Sequence, residues 1–347
     1  MSSPAYRILD ASLNRAAEGL RVVEDFLRFG LADAHLAEAT KQARHDLTEA
    51  ARHLDVQLRI ASRDTANDVG CAIQTDAELS RASTEDVVHA NLARVQQSLR
   101  TLEEYGKTVS ADFSQGIEQL RYRIYTLEKA VLTTLVSRGN LSETRLCVLI
   151  DAQEEGKEFE NLVLQLIEAE VGMLQLRDKD LSDRELLATG QRLTELTRGS
   201  KTRWIMNDRA DLALATGADG VHLGQEDLPI AAARKLVGAA MLIGVSTHDL
   251  EQARQAVLEG ANYIGVGPVF SSRTKSFEQF PGLELLRQVA SEIQLPSFAI
   301  GGIEPGNIEE VRRAGFDRVA VHHCIVGSDQ PGRAASDIKK RLQATVS

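Results

Sequence analysis

Apolar residues in the first 139 positions recur every three or four residues: Leu13, Leu20, Val23 and Leu27, then Val88, Leu92, Val95, Leu99 and Leu102. That spacing lays each set along one stripe of an α-helix, and no strand-like alternation interrupts it. GLRVVEDF (19–26) is echoed by SLRTLEEY (98–105), and KQARHDL (41–47) by EQLRYRI (118–124), at nearly the same offset. The pattern predicts two helical hairpins packed as a four-helix array. Either a unit was duplicated, or two amphipathic helices merely look alike. Between the hairpins, ASRDTANDVG (61–70) is too polar and too rich in turn formers to continue a helix. Its Arg63, Asp64, Asn67 and Asp68 either contact a ligand or ride on a solvated connection.

RGNLSET (138–144) is a short linker by composition, and after it the pattern changes. RLCVLIDA, GMLQLRDK, RWIMND, GVHLG, MLIGVST, YIGVGPVF, SFAIGGI and RVAVHHC are strand signals, each followed by an amphipathic helical stretch. Eight strand–helix pairs with short connections predict a closed (β/α)8 barrel; an open doubly wound sheet is the alternative, but it rarely needs eight regular units. The expected organisation is an all-α domain over 1–139, of uncertain role, and a barrel over 140–347.

Composition narrows the setting. The chain has 347 residues, 43% of them apolar, enough for two domains. No run of about 18 apolar residues suggests a membrane span. The start, MSSPAYRILD, lacks the basic and apolar stretches of a secretory signal. Cys71, Cys147 and Cys324 are odd in number and widely spaced, which fits small buried side chains better than a disulfide framework or a zinc site. The expectation is a cytoplasmic protein without a membrane partner. The formal charge of −10 argues against a nucleic-acid partner. It leaves room for an anionic substrate, because a pocket can be locally positive and a metal ion can bridge acids to phosphates.

In a (β/α)8 barrel the chemistry sits at the carboxyl ends of the strands. Those ends carry Gln175, Arg177 and Lys179 after strand two, Asn207 and Asp208 after strand three, and Gln225, Glu226 and Asp227 after strand four. Ser246, Thr247 and His248 follow strand five, and Ser271, Ser272, Arg273, Thr274 and Lys275 follow strand six. Gly301 and Gly302 follow strand seven, and His322 and His323 follow strand eight. Polar groups of both signs converge on one mouth. Gln175, Arg177 and Lys179 alternate and so share one face. Asp208 and Asp227 end adjacent strands at similar depth; two carboxylates about 4 Å apart repel by roughly 4 kcal/mol at an effective dielectric of 20. A hard divalent cation removes that repulsion, and Mg2+ takes one or two carboxylates plus water and phosphate oxygens. The alternative is that each acid pairs with Arg177, Lys179 or Arg209. Gly301-Gly302, with the helix that follows strand eight, suits a phosphate held by backbone N–H groups, although two glycines alone are a weak signal. Ser272, Thr274 and Lys275 add hydroxyl donors and a mobile cation. The residues thus suggest a metal-dependent diphosphate site at strands two to four and a metal-free monophosphate site at strands six to eight. No nucleophilic serine or cysteine with a paired base appears in these motifs, so the reading is displacement of diphosphate by electrostatics rather than covalent catalysis.

QLRDK, NDRADLALA, GVHLGQEDL, IGVSTH, YIGVGPVFSSRTK and FAIGGI, in this order from about Thr144 onward, resemble the thiamine-phosphate synthase family. The resemblance implies a (β/α)8 transferase that joins 4-amino-2-methyl-5-(diphosphooxymethyl)pyrimidine to a thiazole phosphate or its carboxylate and releases diphosphate. It implies that Gln175, Arg177, Lys179 and Asn207 hold the pyrimidine diphosphate, with Ser246 and Lys275. Asp208 and Asp227 would bind Mg2+. Ser272, Thr274 and Gly302 would hold the thiazole phosphate, and Arg177, Lys179 and Lys275 would act in catalysis. It also implies a dissociative step, in which diphosphate leaves before the thiazole nitrogen attacks. Two positions depart from the family pattern: Ser271-Ser272 replaces proline and threonine, and His322-His323 replaces an aliphatic residue and serine. A non-synthase relative that binds or tautomerises thiazole phosphate, or regulates the pathway, would be expected to lose part of the charged set. The helical part resembles an extension of some members, for which a pyrimidine monophosphate kinase role has been suggested. It carries no P-loop, and an oligomerisation or docking module is the competing reading. The sequence leaves open the oligomeric state, a homo-oligomer included, and the thiazole form used.

Overall fold

The computed structural model describes residues 4–65, 67–68, 80–152, 157–271 and 281–344. The chain divides into two compact units, Met1–Leu132 and Thr133–Ser347.

The first unit is helical: α1 (Pro4–Asp25), a π-helical turn (Phe26–Leu31), α2 (Ala34–Ala51), α3 (Val56–Ala61), α4 (Thr84–Gly106) and α5 (Ala111–Asn140). Polar caps set the starts: Asp33, Asp55 and Ser83 accept backbone N–H groups of α2, α3 and α4. α1 packs along α4, with Leu9, Leu13, Ala16, Leu20 and Val23 buried on one side and Val88, Leu92, Val95, Leu99 and Leu102 on the other. Gly19 sets the approach, since a Cβ there would lie 2.7 Å from Val95 Cγ2. The short α3, capped by Asp55, adds an element that the four-helix expectation did not contain.

The sequence echo has a structural counterpart. Glu24 is 2% exposed and meets Arg21 at 3.7 Å, Arg28 at 3.8 Å and Arg44 at 3.1 Å. Glu103 is 4% exposed and meets Arg100 at 2.9 Å, Lys107 at 3.8 Å and Arg121 at 2.7 Å. In both clasps the cations stand three before and four after the acid, with one more from the second helix of its hairpin. Such a match in burial, spacing and chemistry favours duplication over two helices that merely look alike. The start of the polar stretch is tied down: Arg63 donates to Asp10, and Arg7 donates to the Asp64 carbonyl.

In the second unit, β1 (Leu146–Ile150), β2 (Met173–Leu176), β3 (Arg203–Asn207), β4 (Gly220–Leu223), β5 (Leu242–Thr247), β6 (Tyr263–Val266), β7 (Ser297–Ile300) and β8 (Val319–Val321) pair in chain order and close into a parallel barrel. Closure removes the open-sheet alternative. The inward residues Cys147, Met173, Ile205, Leu242, Tyr263, Phe298 and Ala320 form its core, and Leu141 packs with them. RGNLSET is therefore not a free linker. α5 continues through Asn140, Thr134 and Ser137 are fully buried, and Leu141 joins the barrel core. Composition missed this because polar residues around Leu141 mask a single apolar anchor. Burial pushes the Cys147 thiol up to about 12 and the Cys324 thiol up to about 11, so neither is a thiolate near neutral pH. Cys71 lies outside the described residues.

Candidate active site

Strand alternation carries the inward face from the apolar core to the mouth. Two residues beyond Met173 stands Gln175, two beyond Ile205 stands Asn207, and two beyond Gly220 stands His222. Gln175 is 4% exposed and donates from Nε2 to Asn207 Oδ1 at 2.8 Å. β2 ends at Leu176, and beyond it Arg177 is half-buried and Lys179 exposed.

Asp208 and Asp227 are brought together. The Asp208 backbone N–H donates to the His222 carbonyl at 2.8 Å, which fixes the loop after β3 against β4. Its φ of 60° is left-handed, a conformation costly for a residue with a side chain and often retained at functional sites. Asp227 folds back over the turn after β4, and its Oδ2 accepts from Gly224 N at 2.6 Å. The Asp208 carboxyl is pushed up to about 6, first by burial, then by a hydrogen bond and charge repulsion from Asp227; Lys179 and Arg177 oppose the shift. These four charged side chains are therefore neighbours. Among the described residues, neither acid makes an ion pair within 4.0 Å, and neither do Arg177 and Lys179. Arg209, the third candidate partner, pairs instead with Asp183 and Asp211.

On the next strand, β5, Ser246 receives a hydrogen bond from, or gives one to, His222 Nε2 at 2.9 Å, and its carbonyl accepts from Gln225 Nε2 at 2.6 Å. Gly302 has φ 62°, and a Cβ there would lie 2.6 Å from the Ser271 carbonyl oxygen, so only glycine fits. Asn307 Nδ2 donates to the Gly302 carbonyl at 2.9 Å and holds this turn. Ser272, Thr274 and Lys275 lie outside the described residues, as does the whole stretch 272–280. Among the described residues no group of three or more His, Cys, Asp or Glu side chains could hold a metal, so any cation here rests on two acids.

Two polar residues escaped the sequence reading. His222 was hidden inside GVHLG, read only as a strand, although its inward register follows from alternation with Gly220. Asp151 follows β1, and its carboxylate accepts from His322 Nε2 at 3.2 Å; the strand-end rule, applied to RLCVLIDA, finds it. His323 is exposed.

Residues 146–325 match the family described as thiamine monophosphate synthase, about half of the chain, and residues 7–130 match the ThiD2 family. The thiamine-phosphate synthase of Rhodopirellula baltica is 43% identical over 99% of this chain and 94% of its own length. The chain belongs to the thiamine-phosphate synthase family. The thiamine-phosphate synthase of Gloeobacter violaceus is 44% identical over 97% of this chain and 96% of its own. A solved thiamine phosphate pyrophosphorylase from Pyrococcus furiosus is 33% identical, with a TM-score of 0.53, over 58% of this chain and 96% of its own. Within the thiamine-phosphate synthase family, then, these two relatives span nearly the whole chain, whereas the Pyrococcus protein, over nearly its full length, matches little more than half of it. Among the described residues no helix is long and apolar enough to cross a membrane.

Proposed function

We propose that the barrel joins 4-amino-2-methyl-5-(diphosphooxymethyl)pyrimidine to thiazole phosphate, or its carboxylate, forming thiamine phosphate and releasing diphosphate. The observation that carries this is the acid pair Asp208–Asp227 beside Arg177 and Lys179 at one rim. Two neighbouring carboxylates that repel each other, and that make no ion pair within 4.0 Å among the described residues, suit a divalent ion. The two acids fit Mg2+, which fills its remaining positions with water and phosphate oxygens. Bound there, Mg2+ would neutralise charge on the departing diphosphate.

The chain's own residues do the rest. Gln175 and Asn207, tied to each other, present amide donors and acceptors to the pyrimidine, and Ser246 adds a hydroxyl. Arg177 and Lys179 bind the diphosphate oxygens and stabilise the charge that grows on them as the methylene C–O bond breaks. Lys275 is assigned to the same leaving group by the family pattern. Gly302, with Ser272 and Thr274, receives the thiazole phosphate; the thiazole nitrogen then forms the new C–N bond to the pyrimidine methylene. The family resemblance assigns a dissociative order to these events, with the C–O bond breaking before the C–N bond forms. We assign 140–347 to this activity and 1–139 to a helical module whose role is open between scaffold and pyrimidine monophosphate kinase.

A non-synthase relative that only binds thiazole phosphate has no use for the acid pair. Asp208→Ala separates the two: a synthase loses Mg2+-dependent diphosphate release by orders of magnitude, whereas a binder still takes up thiazole phosphate and had no release to lose.

A further inference from the structure

The inward face of the barrel holds a hydrogen-bonded chain that the substrate reading does not use. Tyr263 on β6 is 3% exposed, and its hydroxyl lies 3.2 Å from His222 Nδ1 on β4. β5 stands between those strands, and the phenol crosses it at Gly244. A Cβ there would lie 2.1 Å from the tyrosine ring and 2.5 Å from its oxygen, so this glycine is what lets the two side chains meet. On its other nitrogen, His222 Nε2 lies 2.9 Å from Ser246 Oγ, at the mouth. Tyr263, His222 and Ser246 thus run from the apolar core toward the mouth.

The direction of the protons in this chain follows from satisfaction of buried donors. A buried phenol has an O–H that must find an acceptor, and leaving it unmade costs more than an average hydrogen bond contributes. Among the described residues His222 Nδ1 is the only hydrogen-bond partner of that hydroxyl. Burial holds the phenol protonated, so the ring nitrogen that meets it must be a bare acceptor, which makes the imidazole neutral with one N–H to place. If Nδ1 accepts from Tyr263, the N–H is on Nε2 and donates to Ser246. The serine oxygen is then occupied as an acceptor, and its own proton is left to point at whatever enters the mouth. With the opposite tautomer the phenol proton would be stranded and Ser246 would spend its proton on His222.

We propose that Tyr263 and His222 are positioning residues that commit Ser246 to donate a hydrogen bond to an acceptor atom of the pyrimidine substrate, a ring nitrogen or a phosphate oxygen. This rests on the reading of Ser246 as a pyrimidine-side contact. The consequence is selectivity of polarity: the pocket disfavours an analogue that replaces that acceptor by an N–H, which offers the serine proton no lone pair.

The test uses the full chain with 15N-labelled histidine, the His222 resonances being assigned by their disappearance in His222→Gln. Wild type is expected to show the Nε2–H tautomer with a bare Nδ1. Tyr263→Phe removes only the donor, and is expected to mix the tautomers and raise KM for the pyrimidine diphosphate about five- to ten-fold, leaving KM for thiazole phosphate unchanged. His222→Gln, which keeps an N–H near the Nε2 position, is expected to retain more activity than His222→Ala. A purely structural role would lower stability without this split between substrates. An Nδ1–H tautomer in wild type overturns the proposal, and that measurement needs no variant to fold. So does Tyr263→Phe with unchanged tautomer and unchanged KM. If instead the tautomer is as expected but Ser246→Ala leaves KM for the pyrimidine diphosphate unaltered, the assignment of Ser246 fails and the positioning role falls with it, whereas the rest of the acid-pair site stands.

Discussion

Two pairs of carboxylates sit in opposite surroundings. Glu24 and Glu103, in the helical unit, are nearly inaccessible, yet each is met by three cations from its own unit. Asp208 and Asp227, at the barrel mouth, are partly open and meet each other instead, with Asp208 held up at about 6. The cations nearest to them, Arg177 and Lys179, make no ion pair among the described residues. Charge is met by ion pairs inside the fold in the first case, and in the second, on the proposed function, by an arriving cation and diphosphate. Fold and function therefore differ less in residue type than in whether the partner is built in.

The sharpest break of this contrast is Asp208→Ala. Metal-dependent diphosphate release should fall about 10³-fold, with Arg177→Gln costing about 10²-fold, as expected when groups aimed at developing charge are removed. A continuous diphosphate assay reads both, and retention of near-normal rates would show that the acid pair is ordinary surface. The helical clasp should behave in the reverse way. Glu103→Ala strands Arg121 and its neighbours and should cost about 3 kcal/mol of helical-unit stability, read by denaturant melts, while synthase turnover at low temperature is kept. A cost near zero would make the clasp incidental.

Dividing the units gives a smaller effect on rate. Because Ser137 accepts a hydrogen bond from Asn262 and Leu141 packs in the barrel core, a chain beginning at Thr133 should keep synthase turnover within about two-fold, whereas one beginning at Asn140 should melt earlier. The same chains, given pyrimidine monophosphate and ATP, sharpen the role of the helices. ATP-dependent thiamine phosphate formation by the whole chain alone assigns a kinase to them; a changed oligomeric state without it assigns a scaffold.

The smallest effect concerns pH. The folded pKa of Asp208 lies above the usual aspartate value, so this group favours the fold below about pH 4 and loses that contribution as pH rises through about 6. Asp208→Asn should therefore stabilise the metal-free protein at pH 8 by roughly 1 kcal/mol, after discounting for the solvent screening of a half-open site. Because a cation must displace that proton, the Mg2+ concentration needed for half-maximal rate should climb as pH drops below about 6.

Much of this was legible in the chain because period and spacing encode it. Eight strands ended by polar residues gave the barrel and its mouth, and one-rim placement of Asp208, Asp227, Arg177 and Lys179 followed from strand ends alone. What escaped were effects that need three dimensions. Leu141 looked like part of a linker because its partners are far along the chain. His222 looked like one more strand residue, because the hydroxyls that bind it come from β5 and β6. The triple clasp of Glu24 and Glu103 combined residues on two helices, and the echo of letters alone could not say whether it meant shared chemistry.

Titration with Mn2+ in place of Mg2+, followed by its electron paramagnetic resonance signal with and without inorganic diphosphate, tests the acid-pair account most directly. The expected result is one site that tightens when diphosphate is added and is lost in both Asp208→Ala and Asp227→Ala. Mn2+ bound equally by the variants, or indifferent to diphosphate, would contradict it.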